Sequence, residues 1–155
     1  MNERKESTTS IILEYVRVIV LTVIATFIFL QFVQISRVNG SSMENTYFQN
    51  NIVLIDKVFY KHSQPKRNDI IIVDYDDGLD DTLIIKRVIA VGGDHLDIKN
   101  NEVYINGKKI KESYIKENMN TEDLSIDIPK GKVFVMGDNR NHSLDSRKLG
   151  YFDFD

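Results

Sequence analysis

Cysteine is absent from the chain, so disulfides, thiolate catalysis and cysteine-ligated metal are excluded, while the redox compartment is left open. Charge of one sign is scarce as well. The formal net charge is -3 over 155 residues, and Lys and Arg are interspersed with Asp and Glu, so there is no basic stripe of the kind that binds nucleic acid. The three histidines, His62, His95 and His142, lack metal-ligand spacing and sit among turn residues, where a solvated role is expected and no metal. Nothing in the composition asks for a cofactor. The chain has no internal repeat, no low-complexity tract and no second apolar stretch long enough to recross a membrane. A hydrophobic content of 42% is enough for one domain with a modest core.

What is present begins with a long apolar run, densest from Val18 to Val33 and broken only by Thr22, Thr26 and Gln31. Counting back through Tyr15 and Val16, it reaches the roughly 17 to 20 residues that a membrane-crossing helix needs. It lacks the polar stripe of a soluble core helix, and the QISRVNG that follows offers no small-x-small cleavage site. An uncleaved anchor is predicted. Arg4, Lys5 and Arg17 precede it, and only Arg37 follows closely, so the positive-inside bias puts the N-terminus in the cytoplasm. The expected organisation is a cytoplasmic tail over 1–10, a membrane anchor over 11–34 and an extracytoplasmic domain over 35–155, single-pass in a cell membrane.

Beyond Gly40-Ser41-Ser42-Met43 the pattern is of short strands between turn signals, hence a mainly β domain. Expected strands are Asn51 to Val58, Asp69 to Tyr75, Thr82 to Val91, Leu96 to Lys99 and Val103 to Ile105. Asp76-Asp77-Gly78 reads as a loop. Asn100-Asn101 and Asn106-Gly107 read as tight reversals needing positive φ. Residues 111–128 read as a charged, irregular surface excursion, and Pro129 with Gly131 as a turn.

Three stretches are candidates for chemistry. Alternation along 82–91 puts Lys86 between Ile84 and Val88 on a largely apolar face, where desolvation would lower its pKa and make it a usable base. An edge lysine snorkelling to water would show the same pattern. Arg87 beside it needs a similar escape or a carboxylate partner. Gly40-Ser41-Ser42 is a turn that could present a serine to a neutral lysine, although such tripeptides are commonly flexible linkers. Finally, the apolar VFVM run of Val133–Met136 breaks into Gly137-Asp138-Asn139-Arg140-Asn141-His142-Ser143-Leu144-Asp145-Ser146-Arg147. That dense set of donors and acceptors either positions something or satisfies a buried turn.

An N-terminal anchor, then GSSMENT, then IIKRVIAVGGD, then VFVMGDNRNHSLDSR, in that order, resembles the bacterial type I signal peptidases, in their short Gram-positive-like form. These membrane-bound serine endopeptidases remove signal peptides from exported preproteins. The resemblance covers roughly residues 11–150 and implies a domain of coiled antiparallel sheets resting on the membrane. It puts the nucleophile on Ser42 and the general base on Lys86, and makes Ser143 the hydroxyl that orients the lysine. It makes Asp145 and Arg147 a supporting ion pair, and Gly137, Asp138, Asn139 and Arg140 a structural turn. The oxyanion would be held by the backbone N–H of Ser42. With Gly40 two residues earlier, where some members carry a hydroxyl, a second donor would have to come from the backbone. Implied partners are preprotein signal peptides, the lipid bilayer and, as a candidate neighbour, the secretion translocon. Ile52 and Val53 are candidate pocket residues.

The sequence departs from the family at Asn45-Thr46-Tyr47, where a proline is usual, and at Gly92-Gly93-Asp94. It also stops at Asp155, where the family continues into a closing strand whose loss would expose a sheet edge. Two rivals remain at this stage. One is a non-catalytic or weakly active relative assisting surface-protein or pilus assembly. The other is a self-cleaving Ser-Lys repressor, which would need a DNA-binding module where this chain has an apolar helix.

Overall fold

The computed structural model describes residues 8–58, 63–76 and 81–154. His62, residues 1–7 of the expected tail, and Asp77 and Gly78 of the expected loop lie outside the described residues. A single long helix, α1 (Thr8–Phe32), buries none of its residues. At about 1.5 Å per residue it is long enough to cross the ~30 Å apolar core of a bilayer, and it is apolar enough by composition. Ile19, Val23, Phe27 and Leu30 are each half-exposed or more, a surface suited to lipid.

The chain passes from α1 into β1 (Val33–Arg37) without a linker, so the helix ends two residues before the expected boundary at Gln34. β1 forms an antiparallel ribbon with β2 (Ile52–Asp56), with Ile35 opposite Leu54 and Ser36 opposite Val53. One face of the ribbon therefore carries Ile35, Ile52 and Leu54, all exposed, and the other carries Ser36, Val53 and Ile55. β1 is a strand that the turn pattern did not signal, because its VQISR abuts the apolar run.

Two four-stranded antiparallel sheets make up the rest. The first contains β3 (Ile70–Asp76), β4 (Asp81–Val91), β9 (Lys132–Met136) and β10 (Phe152–Asp153), in the order β10-β9-β4-β3. The second contains β5 (His95–Lys99), β6 (Glu102–Ile105), β7 (Lys108–Lys109) and β8 (Leu124–Asp127), in the order β7-β6-β5-β8. Their facing sides share the main core of Ile89, Ala90, Phe134 and Met136 against Leu96, Ile98, Val103 and Ile105, closed by Met119 and Ile128. A second cluster of Val73, Val88, Val133 and Val135 lies on the opposite side of the first sheet.

The two asparagine reversals form as expected: Asn100, Asn101, Asn106 and Gly107 all take positive φ, which Asn and Gly tolerate best. Strict alternation along β4 does not hold to its end. A bulge between Val88 and Ala90 shifts the register against β9, so Ile89 and Ala90 both enter the main core and Val91 joins Ile84 and Val88 on the other side. An extra residue on one strand inverts the side-chain order beyond it. The expected excursion over 111–128 is likewise corrected. It contains β8, buries Met119 and Ile128, and packs its 112–116 portion against the loop that follows β9.

Candidate active site

β4 pairs with β3 over Asp81–Arg87 and with β9 only over Arg87–Val91. Ahead of Arg87 its β9-facing edge pairs with no strand among the described residues, because the chain leaves β9 at Gly137. Lys86 sits at this junction, 3% exposed. Its Nζ lies 2.9 Å from Ser42 Oγ and 3.1 Å from the carbonyl oxygen of Ile85. Burial pushes the Lys86 pKa down, and attraction to Asp145 opposes this only in part.

The loop after β9 holds the serine in place. Asn139 donates its backbone N–H to Ser42 O at 2.9 Å and its side-chain amide to Ser41 O at 3.0 Å. Asp138, fully buried, receives Arg87 through two bonds of 2.8 and 2.7 Å, and Thr46 of the serine loop also donates to it. Arg87 thus has the carboxylate partner its position required. Asn45, at the site of the family's usual proline, has φ 88, which a proline ring could not adopt. Arg140, 1% exposed, donates to Gly137 O at 3.0 Å.

Gly137 leaves no room for a side chain. A Cβ there would sit 2.5 Å from Ser42 O and inside contact distance of Ser143 Oγ. Gly137→Ala is therefore expected to push the serine loop off the lysine and lower turnover at least about 100-fold, since small misplacements of reacting groups cost that much. Steady-state kinetics at a temperature where the variant is folded checks this. Activity within threefold of the parent would contradict it.

Asp145 and Arg147 form an ion pair, with Arg147 Nε and Nη2 at 2.9 and 2.8 Å from the carboxylate. Asp145 caps the short helix α2 (Ser146–Leu149) and accepts the N–H of Gly137 at 3.0 Å. Arg147 also donates to Arg140 O at 2.5 Å. Ser143 departs from the expectation. Its Oγ is buried without a hydrogen-bond partner, while Lys86 Nζ donates to Ser42 Oγ and Ile85 O. The N–H of Gly40, two residues before Ser42, is bonded to Gln49 Oε1 at 2.6 Å.

In front of the pair lies a cleft of about 230 Å³ between the 36–39 segment and Leu83–Lys86, lined also by Val53 and Ile55. Val53, a candidate pocket residue, lines it. Ile52 does not, because it points to the outer face of the ribbon, 72% exposed. Sequence reasoning assigned no role to Thr46, although it lies in the GSSMENT stretch, and missed Glu112 and Tyr114, which contact this machinery from a segment that carries no recognisable pattern. Among the described residues no group of three or more His, Asp or Glu side chains could hold a metal ion.

A buried lysine hydrogen-bonded to a serine at the end of a small cleft is the arrangement of hydrolases in which lysine replaces histidine as the base. Comparison with known proteins narrows that class. Residues 12–155 match the family described as signal peptidase, peptidase S26. Signal peptidase I P of Bacillus subtilis subsp. natto is 33% identical over 98% of this chain and 88% of its own length. Signal peptidase I S of Bacillus subtilis (strain 168) is 34% identical over the same shares. A crystal structure of a signal peptidase I from Enterococcus faecalis V583 superposes with a TM-score of 0.51 at 29% identity, covering 59% of this chain and 92% of that one. The chain belongs to the signal peptidase family, peptidase S26, and is a serine peptidase of the signal peptidase I type.

Proposed function

We propose that the protein is anchored by α1 with its N-terminus in the cytoplasm, and removes signal peptides from exported preproteins on the outer face of the membrane. The observation that carries this reading is the 2.9 Å contact between the buried Lys86 Nζ and Ser42 Oγ. Neutral Lys86 accepts the proton of Ser42 as Oγ attacks the scissile carbonyl carbon. The tetrahedral oxyanion is held by the backbone N–H of Ser42. Collapse breaks the peptide C–N bond, and the Lys86 ammonium returns the proton to the leaving amine. Lys86 then takes a proton from a water as it attacks the ester carbonyl, and returns it to Ser42 Oγ as the C–O bond breaks and the signal peptide is freed.

The substrate adds as an extended strand along the open edge of β4. The small residues that the resemblance implies on the substrate would enter the cleft lined by Val53, Ile55 and Ile84. Ser42 comes only ten residues after Phe32 ends the helix, within about 35 Å of extended chain, which suits a peptide whose apolar part is still in the bilayer. The rival reading of a fold that binds without cutting draws no support from a site in which both Ser42 and Lys86 are present and bonded.

Activity should follow the neutral amine. Because burial lowers the Lys86 pKa, the protonated, inactive form dominates at low pH. The rate of preprotein cleavage by the full chain in detergent micelles should then rise with pH and level off below the usual lysine value of about 10.4. A profile flat from pH 5 to 10, or one rising only above about 10.4, would contradict the assignment.

A further inference from the structure

The 112–116 segment crosses behind the dyad. Tyr114 lies under Arg87, whose guanidinium carbon is 4.0 Å from the ring centroid, and Arg140 approaches the same ring at 5.9 Å. Glu112 binds Arg140 through two bonds of 2.9 and 2.6 Å and accepts the Tyr114 hydroxyl at 2.9 Å. Lys116 donates its backbone N–H to Asp138 O at 3.1 Å and pairs with Glu44 of the serine loop at 2.6 Å.

Two buried guanidinium groups so close together repel each other unless something of opposite polarity stands between them. The negative face of the Tyr114 ring and the Glu112 carboxylate supply it. Burial and the Glu112 charge raise the Tyr114 pKa, so the phenol stays neutral. Arg87 follows Lys86 directly on β4 and fixes Asp138, which in turn holds Thr46 of the serine loop. The chain of contacts from the strap to both members of the dyad is continuous.

We infer that Glu112 and Tyr114 are positioning residues: the 112–116 strap sets the orientation of Arg87 and Arg140 and, through Asp138, the approach of Ser42 to Lys86. This rests on the proposed Ser42–Lys86 function. Its test therefore includes a readout that needs no cleavage.

Tyr114→Leu keeps apolar bulk but removes the ring, and Tyr114→Phe restores the ring. In the full chain in micelles, Tyr114→Leu should lower kcat about tenfold with KM within about twofold, as expected for lost alignment, and Tyr114→Phe should recover most of it. The Lys86 titration, followed by NMR of carbon-13-labelled lysine, should move up towards the ordinary lysine range in Tyr114→Leu and stay lowered in Tyr114→Phe. A role in stability alone would lower Tm and leave both readouts unchanged, which overturns the inference. If Tyr114→Leu does not fold, Glu112→Gln decides by the same two measurements. If the parent cleaves no preprotein, the proposed function fails, and the lysine titration still tests the strap.

Discussion

Ser42→Ala and Lys86→Ala each lower cleavage of a signal-peptide-bearing preprotein by at least about 10⁴-fold, the scale seen when members of a nucleophile–base unit are removed. Without Oγ no acyl intermediate can form. Without Lys86, Ser42 is an ordinary alcohol, and among the described residues the nearby carboxylates are committed elsewhere: Asp145 to Arg147 and to the N–H of Gly137, and Asp138 to Arg87 and Thr46. Neither variant should unfold the domain. Removing an amine that is 3% exposed relieves desolvation, so Lys86→Met, which keeps the volume, should match or exceed the parent in Tm. Cleavage above about 1% of the parent rate, four orders being expected, by either alanine variant would refute the dyad.

The second large effect is on stability. Asp138→Ala leaves Arg87, 8% exposed, as a buried cation without its carboxylate, and loss of one partner of such a pair costs about 3 to 5 kcal/mol. For a domain of this size that is a fall in Tm of roughly 10 °C or more. Asp153 gives the comparison. It pairs with Lys132 at 2.5 Å but is 65% exposed, so Asp153→Ala should cost less than about 1 kcal/mol. Thermal melts of the two variants side by side check this, and equal shifts would show that the buried pair has no special weight.

Much of this architecture is written in local signals. Short runs rich in Ile and Val, bounded by turn residues, mark β3 and β4, and Asn100-Asn101 and Asn106-Gly107 mark reversals because few other residues take positive φ cheaply. The apolar helix is legible from composition alone. What escaped has physical causes. β1 is masked by the adjoining apolar run. The bulge at Ile89 depends on the register with β9, which no single strand encodes. Residues 112–116 look like solvent-exposed loop because ion pairs, a ring stack and one backbone bond hold them, not a periodic apolar face. The same holds for the site. Lys86 could be singled out by its apolar flanks, but its meeting with Ser42, 44 positions away, is a tertiary fact that the Gly-Ser-Ser turn suggested weakly and the family resemblance made specific. The unbonded Ser143 Oγ was not foreseen.

The most direct test of the account is to incubate the purified full chain in detergent micelles with a preprotein and to locate any cut by mass spectrometry, with Ser42→Ala in parallel. The account predicts a single cut after a small residue at the end of the signal peptide, absent with Ser42→Ala. No cut by the parent, or the same cut by Ser42→Ala, would contradict it.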